Sequence, residues 1–209
     1  MYLLHVLHPP KAIFQRLGRI CNAFLWGKAD GSKGIHWTSW DRVCFPTPER
    51  GLGVRSFGDL SAAFACKLWW QLRRNRSRWA EFMHVKYIKG GHPSMVQVSR
   101  PMGIWRRLAQ VRDFMETRIR WCLGKRFVDF WHNRWLLEMP LAEELGKIDL
   151  PHMLVAEFFG EGGWNTGLLQ VWLPMGLVCQ VQEITLYPDQ EDEMVWVGGS
   201  APKKEPISG

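Results

Sequence analysis

Residues 59–78 read DLSAAFACKLWWQLRRNRSR. Leu60, Phe64, Leu68 and Leu72 recur every fourth residue, which is the spacing of one helix face. Ala62, Ala63 and Ala65 add helix propensity, and Asp59 is of a type that caps a helix start. The spacing predicts a helix from Asp59 to about Arg74. Arg73, Arg74, Arg76 and Arg78 then put four arginines into six residues. Ser77 is placed to cap a second helix, Arg78 to about Tyr87, which Gly90-Gly91-His92-Pro93 breaks. An amphipathic helix ending in a cation cluster sets two expectations: a mainly α fold and a basic surface.

Upstream, Pro10 to Trp26 reads as a helix, with Pro10 at the start, Gly27 as the stop, and Ile13, Leu17, Ile20 and Phe24 as its inward stripe. Residues 28–34 read as a polar loop. Ser39 can cap a short helix ended by Pro46 and Pro48, and Gly51 and Gly53 predict a turn with positive φ. Downstream, residues 91–102 read as an exposed loop and Gly103 to about Arg118 as a helix, with Ile104, Leu108, Val111 and Met115 facing inward. Arg106, Arg107, Arg112 and Arg118 are expected mostly off that face. Periodicity then changes. Arg120–Leu123 and Phe127–Trp131 read as two short strands joined by Gly124-Lys125-Arg126. Beyond Met139 the pattern weakens to short helices over 154–159 and 177–184 and a strand over 194–197. Residues 198–209 read as a disordered tail. The expected class is mainly α with a small β-hairpin (α+β), and the composition divides the chain into 1–90, 91–138, 139–197 and 198–209.

Of the 209 residues, 46% are hydrophobic, too many for a wholly disordered chain. No apolar run reaches the roughly 20 residues of a membrane span. The N-terminal stretch before Pro9-Pro10 lacks the basic start of a signal peptide. The expected location is intracellular, nuclear or cytoplasmic, without a membrane partner. Cys21, Cys44, Cys66, Cys122 and Cys179 show neither framework nor zinc spacing, so reduced, mostly buried thiols are expected.

Charge is strongly polarised. Residues 1–138 carry 24 basic and 9 acidic side chains, a net of +15, whereas residues 139–209 carry 3 and 11, a net of −8. The basic block fits a polyanion partner, RNA or DNA. Its acidic counterpart could shield that face when no polyanion is bound. Candidate nucleic-acid contacts are Arg73, Arg74, Arg76, Arg78, Lys86, Lys89, Arg106, Arg107, Lys125 and Arg126, interleaved with Trp79 and Trp105, whose rings can stack on bases. Ordinary solvated faces and core tryptophans are the competing reading of the same residues.

No catalytic, metal or cofactor residues are assigned. Polymerases need clustered carboxylates for metal ions. The dense acidic run, residues 189–193, reads as a solvated connector, and Glu143-Glu144 as an exposed helix surface. No histidine pair has zinc-helix spacing. His132, between Trp131 and Asn133, reads as a packed residue. The Gly51-Leu52-Gly53 element lacks the strand and the Lys-Ser/Thr of a phosphate loop.

Several segments resemble, in order and spacing, the region after the polymerase core of plant non-LTR (LINE-type) retrotransposon reverse transcriptases. They are ICNAFLWG (20–27), Ile35-His36-Trp37, WDRVCFP (40–46), ERGLGVRSFGDL (49–60) and AFACKLWWQL (63–72). Trp79, Lys86-Tyr87, Ile104-Trp105-Arg106, Trp121-Cys122-Leu123-Gly124, Phe130-Trp131-His132 and Trp135 follow. A fainter likeness runs through Gly163-Trp164-Asn165 and residues 192–196.

The resemblance implies a thumb-like helical part over 1–90, a basic Trp-rich part over 91–138 and an acidic connector over 139–197. It places them between a catalytic palm and a zinc-binding segment, both absent here and both expected partners. Gly124-Lys125-Arg126 departs from the family's Gly-Asp-Gly. The expected function is that of a non-catalytic fragment of a reverse-transcriptase-like protein with residual RNA/DNA binding. The alternative is a structural or protein-interaction relic without nucleic acid.

Overall fold

The computed structural model describes residues 9–27, 34–35, 37–100, 103–147, 150–160, 162–184 and 189–198. The expected tail from residue 199, most of the 28–34 loop, and His5, His8 and His36 lie outside the described residues. The class is mainly α with small antiparallel β elements, as expected. Two compact units interleave along the chain: residues 1–72 with 98–112, and residues 73–97 with 113–209.

In the first unit, α1 (Lys11–Trp26) starts after Pro10 and α2 (Trp40–Val43) after Ser39. The Ser39 hydroxyl makes no cap bond; its carbonyl accepts from Arg42 and Val43. Gly18, the buried residue of α1, lies against the Trp40 ring. The expected inward stripe of α1 is therefore corrected. Ile13, Ile20 and Phe24 are 48%, 57% and 89% exposed, because the close approach to α2 needs a residue with no side chain and turns the opposite face outward. The following turn uses its two glycines differently. Gly53 adopts φ +68, while Gly51 is required by the Phe45 carbonyl, which would lie 1.9 Å from any Cβ there.

α3 (Phe57–Arg74) begins two residues before Asp59. Its cap is Ser56, whose Oγ accepts from the Asp59 amide at 3.0 Å. The buried face is Ser61, Ala65, Trp69 and Leu72 rather than the full leucine stripe. α3 ends in the second unit with Arg73 and Arg74. α5 likewise starts in the first unit and ends in the second.

In the second unit, Ser77 caps α4 (Arg78–Met83) as expected, accepting from the Ala80 amide at 3.2 Å. The helix continues as a π turn, His84–Ile88. The expected exposed loop after it is partly buried, since His92 and Pro93 are enclosed. α5 (Gly103–Glu116) leads to β1 (Ile119–Cys122).

The two strands expected around residues 124–126 do not pair with each other. β1 pairs antiparallel with β4 (Glu193–Trp196), in the register Ile119 with Trp196 and Cys122 with Glu193. Residues 128–131 instead enter the core. Short α6 (Leu141–Glu144), the hairpin of β2 (Phe159–Gly160) and β3 (Gly163–Trp164), and helices α7 (Thr166–Trp172) and α8 (Met175–Gln182) pack around that core.

The centre of this core is the run Val128 to Trp135, every residue of which is buried. Phe130 stacks on Phe158 at 3.8 Å between centroids, and Trp131 meets Phe158 edge-on at 5.9 Å. Such burial of large aromatics dominates a core of this size. None of the five cysteines is in a disulfide and none is buried, so the expectation of mostly buried thiols is corrected. No described helix is long and apolar enough to cross a membrane.

Candidate nucleic-acid interface

The sequence-derived basic residues separate into structural and surface groups. Arg73 is buried: its Nε faces Glu116 Oε1 at 2.9 Å, its Nη2 donates to Asn133 Oδ1, and its guanidinium lies 5.7 Å from the Trp121 ring centroid. Arg107 is 2% exposed and donates from Nη2 to the Ser61 carbonyl at 2.7 Å. Trp105 is 2% exposed. These three leave the expected surface, because burial gives their polar groups and rings to the protein itself. Arg74, Arg76, Arg78, Lys86, Lys89 and Arg106 are exposed, and Trp79 is half-buried. Arg106 belongs to the first unit and the other exposed cations to the second.

Within the second unit the Gly124–Phe127 turn carries Lys125 and Arg126. Arg126 has φ 69, a left-handed conformation that a glycine enters without strain. This is the third position of the Gly124-Lys125-Arg126 triplet. Its guanidinium sits 4.2 Å from the Phe159 ring centroid, in cation–π range. Phe127 beside it is 69% exposed.

The acidic run is not a solvated connector at this point. Asp192 Oδ1 accepts from the amides of Gly124 at 2.7 Å and Arg126 at 2.9 Å, and Oδ2 accepts from the Phe127 amide at 2.7 Å. Lys125 Nζ donates to Glu191 Oε1 at 2.5 Å. That bond holds the Lys125 ammonium above its ordinary pKa and Glu191 below its own, with the charge of Arg76 also lowering Glu191. Glu191 thus bonds Lys125 in the 124–127 turn and feels the charge of Arg76, two cations the sequence treats as separate sets.

Cation–aromatic pairs that sequence reasoning did not select lie on this unit as well. Lys86 is 5.3 Å from the Phe82 centroid and Arg118 is 3.9 Å from the Phe114 centroid. Phe114 in turn lies 6.3 Å from Trp196. Phe82, Phe114 and Trp196 are 57%, 38% and 46% exposed. The available signal was the i, i+4 spacing of Phe82–Lys86 and of Phe114–Arg118, the latter running from the last turn of α5 to just past its end.

A buried polar network underlies the aromatic core. Asp129, 3% exposed, accepts from the Trp131 amide at 3.0 Å, the His132 amide at 2.7 Å and the His132 ring at 3.0 Å; it also bonds the His152 ring. Burial raises its pKa, but the His132 ring bond and the other donors outweigh burial and hold it at about 2. His92 Nε2 donates to Asn133 Oδ1 at 2.7 Å, and His92 Nδ1 lies 2.6 Å from Ser94 Oγ. Burial, then the charge of Arg73, pushes His92 well below 6.5. His92 is therefore neutral at neutral pH and adds no charge beside Asp129 there.

Ser94 and His132 line a cleft of about 670 Å³ with Glu116, Arg134, Glu138 and Glu143. Ser94, His92 and Asn133 are joined in series through the two ring nitrogens of His92. The arrangement closes the 92–95 turn, in which the Ser94 amide also donates to His92 Nδ1 at 3.3 Å. Among the described residues, no group of three or more His, Cys, Asp or Glu side chains is arranged to hold a metal ion.

Comparison with known proteins gives one relative. The chain is 33% identical over 144 residues to the "Putative ribonuclease H protein" of Arabidopsis thaliana. The match covers 64% of this chain and 23% of that protein, so this chain corresponds to about a quarter of its relative's length. No family model and no solved structure matches.

Proposed function

We propose that this chain is a non-catalytic, polynucleotide-binding part of a plant-type retroelement protein of the reverse-transcriptase class. The exposed cations of its second unit contact backbone phosphates, and exposed aromatics beside them stack on bases. The carrying observation is the exposure of Arg74, Arg76 and Arg78 together at one helix junction. Arg73, between them and the core, is spent on fixing that junction through Glu116 and Asn133. The exposed Phe127 next to Lys125 and Arg126 adds a stacking surface. The relative's name, ribonuclease H, is that of an RNA-directed activity and supports the same partner class; the matched portion is a minor part of that protein.

The test is the salt dependence of binding to a single-stranded RNA and an RNA–DNA hybrid. Replacing Arg74, Arg76 and Arg78 with Ala should reduce the log–log salt slope for single strands by about 2, the value for three phosphate contacts. Binding that ignores salt, or a triple variant with the wild-type slope, overturns the reading.

A further inference from the structure

Three backbone amides of the Gly124–Phe127 turn converge on one carboxylate. Successive amides folded around a point by a left-handed residue form a concavity for an anion. Arg126 supplies the left-handed residue, at φ 69. Gly124 allows the occupant's chain to approach, since a Cβ there would lie 2.2 Å from the Gln190 carbonyl. Lys125 stands at the rim, clamped to Glu191, and the charge of Arg76 acts on the same carboxylate.

We infer that this turn is a phosphate-binding nest, and that Asp192 with Glu191 is its built-in occupant, displaced by a polynucleotide phosphate. The inference rests on the polynucleotide reading above and assigns one phosphate subsite within it. A phosphodiester carries one negative charge, as the Asp192 carboxylate does, so the nest itself exchanges like for like. The net gain comes from the neighbours. When 191–192 leaves, Lys125 and Arg76 lose Glu191 and become available to further phosphates of the same strand. Exchange needs little movement of the fold. β4 begins at Glu193, paired with Cys122, so release of residues 189–192 leaves the β1–β4 ladder in place. The exposed Phe127 is then adjacent to a bound nucleotide.

The experiment uses the full chain, a fluorescent 20-nucleotide oligouridylate and inorganic phosphate as separate probes. Glu191→Gln should raise oligonucleotide affinity about threefold and Asp192→Asn about tenfold, as expected for losing one exposed and one amide-bonded internal competitor. Asp189→Asn with Glu193→Gln removes two charges from the same run and should change affinity less than either. Nitrogen-15 spectra should show the Gly124, Arg126 and Phe127 amides shifting on oligonucleotide addition to the wild type, and on phosphate addition to Asp192→Asn. Shifts with phosphate but not with oligonucleotide would assign the nest to the free ion and overturn the polynucleotide exchange.

The inference also fails if the 189/193 control gains as much as the 191 and 192 variants, because net charge alone would then explain the effect. Unmoved amides overturn it as well. Circular dichroism and melting establish that Asp192→Asn is folded; if it is not, Glu191→Gln, an exposed change, decides by its affinity. A wild type that binds with a salt slope lost in the Arg74/Arg76/Arg78 variant, while the 191 and 192 variants bind no tighter, sinks the nest alone. Absence of binding in every variant sinks both readings.

Discussion

His92 and Asn133, 41 residues apart, are joined by a buried 2.7 Å hydrogen bond from Nε2 to Oδ1. The other ring nitrogen faces Ser94, whose amide is a donor. A second ring proton would meet that donor, so the folded state keeps His92 neutral, with its pKa well below 6.5. The unfolded chain takes up this proton near pH 6.5. Stability from this group is therefore complete above pH 6.5 and falls as pH drops below it. Urea unfolding between pH 7.5 and 5 should show a loss approaching about 1.4 kcal/mol per pH unit from this site. In His92→Asn the slope should flatten; an unchanged slope would exclude His92 as its source.

Asp129 acts in a lower window. Its carboxyl titrates at about 2 when folded against an ordinary 3.8. Its contribution is complete above pH 3.8 and disappears as pH falls towards 2, a loss of about 2 kcal/mol. Asp129→Ala at pH 7 leaves the Trp131 and His132 amides without their acceptor inside the core. The expected cost is about 3 kcal/mol in denaturant midpoints, and a cost below about 1 kcal/mol would show that the network is not holding residues 128–135.

Gly124→Ala introduces a methyl 2.2 Å from the Gln190 carbonyl and 2.7 Å from the Glu191 carbonyl carbon. Backbone rather than a flexible side chain is in the way, so the 189–192 segment must move off. The expected result is a lower melting temperature together with loss of the Asp192 amide bonds, seen as faster hydrogen exchange at residues 124, 126 and 127. Wild-type exchange at those amides would contradict the close approach.

Arg107 and Arg106 are sequence neighbours with opposite expected phenotypes. Arg107→Met keeps bulk but removes the bond to the Ser61 carbonyl, costing about 1–2 kcal/mol of stability with no change in the salt slope of RNA binding. Arg106→Ala should leave stability within about 0.5 kcal/mol. A salt slope that responds to Arg107→Met with folding intact would return Arg107 to the interface.

Phe127→Ala should weaken binding of single-stranded RNA by about 1–3 kcal/mol with the salt slope preserved, the signature of stacking rather than charge. Equal loss of slope and affinity would assign Phe127 a role in shaping the turn instead.

The helices were legible because their signals are local. Four-residue spacing located α1, α3 and α5, and Ser77 marked the start of α4. What the spacing could not provide was which face turns inward. In α3 the small Ser61 and Ala65 are enclosed while Leu60, Phe64 and Leu68 are only half-buried, and in α1 a glycine occupies the contact. The strand at 119–122 was visible, but its partner lies more than 70 residues on, and alternation carries no information about long-range pairing. The exposed positions of Arg74, Arg76 and Arg78 followed from charge density. The interior role of Arg73 and Arg107 did not, because it depends on Glu116, Asn133 and Ser61, residues unremarkable in one dimension. Asp192 was hidden the same way, in an acidic run whose composition suggests solvent.

The interleaving of the two units has a practical consequence for mapping experiments. Helices α3 and α5 each change unit partway along, so no single cut of the polypeptide yields either unit whole. A terminal deletion series would remove parts of both, and loss of binding in such a series would not assign it to the missing piece. Point substitutions at exposed positions keep the assignment unambiguous.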